Sequence, residues 1–142
     1  MKLCSACLLG IPCRFDWKSK PNPEVLELAQ KEVLIPVCPE QLWWLCTPRS
    51  PCEIKDWKVI DIQWTDKTQT FLRWAEIVLD IAKMYTIKEA ILKQKSPSCW
   101  CWKIYDWSFT GTLIDWNGIT ADLLIQNWIK VISEEDLTLR VF

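Results

Sequence analysis

PNPEVLELAQKEVLIPV, residues 21 to 37, sets a helix signal directly against a strand signal, and its reading decides the fold class. Asn22 is a candidate N-cap, Pro23 suits the first helical position and Glu24 favours the positive end of the dipole, which predicts a helix over 23–32. VLIPV, residues 33 to 37, is a compact apolar run of strand length and predicts a buried second strand. Upstream, KLCSA (2–6) reads as a short first strand followed by a polar, proline-containing loop. Downstream, Phe71, Ala75, Val78, Ala82 and Tyr85 recur at three- and four-residue spacing, which predicts a long helix over 66–85. EAILKQ (89–94) predicts a third strand, Thr120 caps a predicted helix running to Asn127, and IKVIS (129–133) predicts a fourth strand. The stretch from Pro39 to Trp64 reads mostly as loop, with a small hairpin around KVIDI (58–62).

Strands joined by helices imply an α/β fold: a mainly parallel, twisted, Rossmann-like sheet with helices on both faces and right-handed crossovers. The 142 residues fit a single domain spanning 1–142. In such sheets ligands bind beyond the carboxyl ends of the strands.

Composition narrows the chemistry. Seventeen Lys and Arg against 18 Asp and Glu give a net charge of −1 with no long basic block, so no nucleic-acid partner is indicated. The start, MKLCSACLLG, lacks the basic flank and long apolar region of a signal peptide, and no run approaches the roughly 18 apolar residues of a spanning helix. The expectation is a cytoplasmic protein without a membrane partner. In a reducing compartment eight cysteines point to metal or catalysis rather than to a disulfide framework. Histidine is absent, which removes His-assisted nucleophiles and Cys/His zinc sites.

The cysteines follow the strands. Cys7 comes just after the first, Cys38 just after the second and Cys99 in the loop after the third, so the sheet would bring three distant sulfurs to one edge. Three thiolates without histidine suit an iron–sulfur cluster or zinc. With three protein ligands on a four-iron cluster, one iron stays open as a Lewis acid; Cys13 or Cys101 could instead supply a fourth ligand. Cys4 reads as strand packing, and Cys46 and Cys52 as ordinary loop positions.

SPSCWCW, residues 96 to 102, follows each of two cysteines with a tryptophan, where a tight turn would call for glycine. The imbalance runs through the chain: 11 Trp and 3 Gly, against roughly ten glycines at ordinary usage. Trp17, Trp57, Trp107 and Trp116 each follow Asp and Trp128 follows Asn. Asp-Gly and Asn-Gly are strong turn signals; Asp-Trp and Asn-Trp have no such rationale. The pattern predicts that many or all of the eleven codons are UGA in a genome that reads UGA as glycine. The alternative is a genuinely Trp-rich protein with aromatic core or interface residues.

SACLLGIPCRFDWKSKPN (5–22), VCPEQLWWLCTPRSPCEI (37–54) and KQKSPSCWCWKIYDWSFTGTL (93–113) resemble the three blocks of the bacterial thiouracil desulfidase family, once catalogued as a domain of unknown function. The resemblance runs from Met1 to about Asp136. The family's corresponding stretches read CRYDGK, PEQLGGL, SCGCG and YDG, with glycine where this chain has tryptophan, and the departure falls on all eleven positions. What the resemblance implies is a [4Fe-4S] cluster held by Cys7, Cys38 and Cys99, removing sulfur from thiolated pyrimidines without net redox change. It also implies that Glu40, in CPE, accepts and then donates a proton, and that Ser96, in SPSC, holds the base or the water. Each has a plainer rival: Glu40 as a helix cap or a partner of Arg49, Ser96 as a turn residue. Lys93 and Lys95 read as solvated surface charges, and Arg14 and Arg49 as groups fixing loops or a carbonyl oxygen. Two other classes compete. One is a zinc- or cluster-bearing structural or interaction protein closed by a cysteine such as Cys101; the other is a thiol redox sensor using Cys99 and Cys101.

Overall fold

Asn22 caps its helix as the sequence predicts: its Oδ1 accepts from the Val25 N–H at 3.0 Å, and Pro23 opens the helix. The computed structural model describes residues 1–42, 46–100, 103–105 and 108–138. In chain order the elements are β1 (Lys2–Ser5), α1 (Pro23–Lys31), β2 (Leu34–Val37), β3 (Cys52–Lys55), β4 (Lys58–Asp61) and α2 (Thr68–Met84). They continue with β5 (Glu89–Leu92), β6 (Lys103–Tyr105), β7 (Leu113–Asp115), α3 (Ile119–Gln126), β8 (Lys130–Ser133) and α4 (Glu134–Thr138). Short 3-10 turns at Ala6–Leu9 and Pro39–Gln41 follow β1 and β2.

Four strands form a parallel sheet in the order β2-β1-β5-β8. The connection from β1 steps to one side and the one from β2 returns to the other, so the order reverses between β1 and β5. That reversal opens a crevice at the carboxyl edge.

Alternation along each strand builds the layers. Leu3, Ala90, Leu92 and Val131 face Val78, Leu79 and Ala82 of α2 and Ala121 and Leu124 of α3. Cys4, Ile91 and Ile132 face the opposite side, against Val25 and Leu28 of α1 and Leu137 of α4. Each fully buried aliphatic side chain stabilises the sheet by about 1.5–3 kcal/mol. Helices therefore cover both faces, as the α/β reading expects. No helix among the described residues is long and apolar enough to cross a membrane.

The structure corrects three local expectations and adds two elements. β2 is an edge strand with Pro36 exposed and only Val37 buried, not the buried strand its apolar run predicts. The hairpin around residues 58–62 exists, but it is β3 paired antiparallel with β4, so Cys52 opens a strand. Thr120 does not cap α3. Gly118 is the N-cap, and the Thr120 hydroxyl bonds the Ser98 hydroxyl at 2.8 Å instead. The hairpin β6–β7 and the short helix α4 carry too little periodicity to be read from sequence.

Eight non-glycine residues among those described have left-handed φ, and four are tryptophans: Trp17 (62°), Trp57 (68°), Trp64 (63°) and Trp128 (62°). Asp56 and Trp57, at φ 45° and 68°, form the two-residue turn joining β3 to β4, a conformation Asp-Gly favours. Trp128 occupies the residue after the α3 C-cap, its N–H bonding Ile125 O at 3.0 Å while Ile129 N bonds Leu124 O at 3.0 Å. That pair of bonds is the Schellman closure, whose left-handed residue is usually glycine. The Trp128 side chain is 91% exposed and so gains almost nothing from burial. Trp74 and Trp100 differ, both being buried in a cluster with Ile54, Val59 and Phe71. Trp43, Trp44, Trp102 and Trp107 lie outside the described residues.

Candidate active site

The three strand ends deliver their cysteines to one place. A cavity of about 230 Å³ at the carboxyl edge is lined by Cys7, Cys13, Cys38 and Cys99 together with Glu40 and Lys93. Cys7 sits in the 3-10 turn after β1, where its carbonyl accepts from Gly10 N at 3.3 Å and Lys20 N at 2.9 Å. Cys38 directly follows β2, and its carbonyl accepts from Gln41 N at 3.0 Å.

Cys99 is placed by a turn and a clamp. The Ser96 Oγ accepts from Ser98 N and Cys99 N, each at 3.2 Å. The N-terminus of α3 holds the same loop: Ile119 N donates to Pro97 O at 3.0 Å and Thr120 N to Ser98 O at 2.9 Å. This close approach needs Gly118, where an added Cβ would stand 2.6 Å from Ser98 O and 2.9 Å from Pro97 O. Both obstacles are backbone and cannot swing aside. Gly118→Ala is therefore expected to lower unfolding stability by about 1–3 kcal/mol in a denaturant titration and to shift Cys99.

The sulfurs are electrostatically distinct. Cys13 lies within hydrogen-bonding reach of Cys7 and Cys38, and that contact is the first cause of the lowered pKa of each. The same contacts, that with Cys38 first, together with burial push the Cys13 pKa up. Cys7 and Cys38 are thus the more acidic sulfurs of the trio and Cys13 the least acidic. Cys99 is raised chiefly by burial and then by the nearby Cys38 charge. A cationic centre would offset that penalty.

This donor set fits an iron–sulfur cluster. Soft sulfur donors from three separate loops face one cavity, two of them with a lowered pKa. No group of three or more Cys, Asp or Glu side chains among the described residues could hold a single metal ion. Cys101, the candidate fourth ligand and redox partner of Cys99, lies outside the described residues.

Other cysteines take different places. Cys4 is fully buried in β1, its pKa pushed up to about 12 mainly by burial, in keeping with strand packing. Cys46 is exposed. Cys52 lines the cavity from the start of β3, also pushed up to about 12 by burial.

Glu40 lies in the 3-10 turn after Cys38 and lines the cavity. Its Oε2 accepts from Arg49 Nη2 at 2.7 Å and Nε at 2.9 Å, and no hydrogen bond among the described residues uses Oε1. Arg49 also donates to Cys13 O at 3.1 Å and Thr47 Oγ1 at 3.1 Å, so it ties three loops together. Arg14 is held by Asp16 through two bonds of 3.2 Å. Both arginines fix loops, as the sequence suggests. Lys95 is exposed. Lys93 is not a solvated surface charge: it lines the cavity, and desolvation is the main cause of its lowered pKa. Its place immediately after β5, equivalent to that of Cys38 after β2, is the signal that could have found it.

Fold and site together define an α/β enzyme whose pocket is walled by cysteine sulfur at the carboxyl edge of the sheet. The comparisons make the assignment specific: the chain belongs to the 2-thiouracil desulfurase family, which matches residues 3–136. It is 34% identical over 147 residues to the uncharacterized protein YbbK of Bacillus subtilis (strain 168), covering 96% of this chain and 97% of that protein. It is also similar to a solved structure named as the [4Fe-4S]-dependent thiouracil desulfidase TudS (DUF523Vcz). The TM-score is 0.90 and the identity 35%, over 99% of this chain and 96% of that one.

Proposed function

We propose that residues 1–142 form one cytoplasmic desulfidase-like domain that removes sulfur from thiolated pyrimidines such as thiouracil, without net redox change, using a [4Fe-4S] cluster held by Cys7, Cys38 and Cys99. The observation carrying this reading is the convergence of those cysteines on one cavity that Glu40 also lines. The thiouracil desulfidase named among the similar structures supports the substrate class and the cofactor. When bound, the cluster supplies an open iron, a Lewis acid that polarises a thiocarbonyl.

The chain's own groups do the rest. Arg49 grips Oε2 of Glu40 and leaves Oε1 to take a proton from the attacking water and return it later. Ser96 accepts two backbone N–H bonds, which leaves its own O–H to donate to the base or the water. Desolvated walls strengthen both contacts.

Protein purified without air should be brown, contain about four irons and release sulfide from 2- or 4-thiouracil. Colourless, iron-free protein under those conditions would overturn the reading. Glu40→Ala should keep the iron while turnover falls by about 10²–10⁴-fold; normal turnover in that variant would remove Glu40 from proton transfer.

A further inference from the structure

Charge is divided across the cavity. Cys38 feels Glu40 and Arg49, whereas Cys7 feels Lys93 and Arg14 and, more weakly, the carboxylate of Glu134. Lys93 and Lys95 both line the cavity without an ion pair among the described residues, Arg14 being bound to Asp16, and Lys93 is the less exposed of the two. The Lys93 N–H donates to Ser5 Oγ at 2.9 Å, which pins the residue across the ends of β1 and β5. Its Nζ donates to Gln94 O at 2.5 Å. No carboxylate among the described residues lies within ion-pair distance of that ammonium. The buried acid that acts on it from farther away, Glu134, gives its Oε2 to Gln94 N at 2.8 Å. Two of the three ammonium donors are thus without a partner among the described residues, beside Cys7 in a cavity wall. A sheltered cation in that state is matched to an anion.

We propose that Lys93 is a catalytic residue that binds the sulfur leaving the substrate, as hydrosulfide, on the Cys7 side of the cavity. The inference rests on the desulfidase reading and deepens it. Hydrolysis of a thiocarbonyl forms a carbon–oxygen bond from water and breaks the carbon–sulfur bond. Both electron pairs of the carbon–sulfur double bond depart with sulfur, one water proton leaves on the sulfur and the other is held by Glu40, so nothing is oxidised or reduced. Negative charge therefore builds on sulfur as the bond breaks, and a fixed ammonium in a desolvated wall stabilises that charge more than it stabilises the neutral substrate. Glu40 and Lys93 then divide the work: one handles the proton of the incoming water, the other holds the outgoing anion.

The test compares Lys93→Gln and Lys93→Arg with the parent, each purified without air and loaded with cluster, in three measurements. These are iron content, visible absorbance during titration with sodium hydrosulfide, and steady-state sulfide release from 4-thiouracil. Lys93→Gln should match the parent in iron, bind hydrosulfide at least about tenfold more weakly and lose about a hundredfold in kcat with KM within a few-fold; Lys93→Arg should recover most of both losses. Parental hydrosulfide affinity in Lys93→Gln, or its loss of iron where Lys93→Arg keeps it, would overturn the proposal. The titration needs no pyrimidine. A parent that binds hydrosulfide through Lys93 yet releases no sulfide from thiouracil would sink the substrate reading alone.

Discussion

Serine at Cys7, Cys38 or Cys99 is expected to leave a folded protein that keeps no iron after anaerobic desalting and releases no sulfide from thiouracil. Thiolates bind iron–sulfur centres because they are soft, polarizable and deprotonated, and a serine hydroxyl is none of these near neutral pH. At Cys7 and Cys38 the exchange removes the two sulfurs whose pKa contact with Cys13 lowers. At Cys99 it also puts a hydroxyl into an apolar cluster, at a cost of about 1–3 kcal/mol, so thermal unfolding should move more there than at Cys38. Cys4→Ser is the control. Cys4 packs beneath the sheet with Val25 and Ile91, so its variant should lose stability and still take up iron. Equal iron retention in all four variants, by elemental analysis, would remove the cysteines from the site.

Glycine at positions 17, 57, 64 and 128 together is expected to raise stability by about 2–4 kcal/mol, or roughly 5–15 °C in melting temperature. A left-handed conformation costs an L-residue about 1–2 kcal/mol, and glycine returns part of that through the greater freedom of its unfolded chain. All four side chains are exposed, so little buried area is lost on truncation. The positions lie in separate turns, which favours additivity. Trp74 and Trp100 carry the opposite expectation as single changes, because each fills buried space beside Phe71 or Ile54. A calorimetric scan in which the fourfold variant melts no higher than the parent would remove the conformational argument for glycine, and eleven UGG codons in the gene would end the recoding reading outright.

The two devices that set Cys99 show why part of the site is legible only after folding. SPSC announces a turn, and the Ser96 hydroxyl does bond the backbone of Ser98 and Cys99. Nothing local announces that Ser98 and Thr120 will meet, or that Gly118 must admit the Ser98 carbonyl. Thr120 has the composition of a cap and serves a contact 22 residues away. Cys13 is similar: a cysteine in a proline-containing loop reads as one candidate ligand among several, whereas contact with Cys38 and Cys7 raises its pKa and lowers theirs. Lys93 misleads for the same reason, since a lysine at a strand end is ordinarily solvated.

By itself the sequence determined which segments are helix and which are strand in the α/β core, and that three cysteines each follow a strand. Those properties rest on local physics: Asn22 caps the residues beside it, VLIPV is apolar over the length of one strand, and a parallel sheet puts every strand's carboxyl end on one edge. Only the tertiary structure decided the order β2-β1-β5-β8, the place of Cys13 beside Cys7 and Cys38, the grip of Arg49 on Glu40 and the sheltered ammonium of Lys93. These depend on groups far apart in the chain, whose charges and hydrogen bonds acquire their strength only when packing brings them together and excludes water.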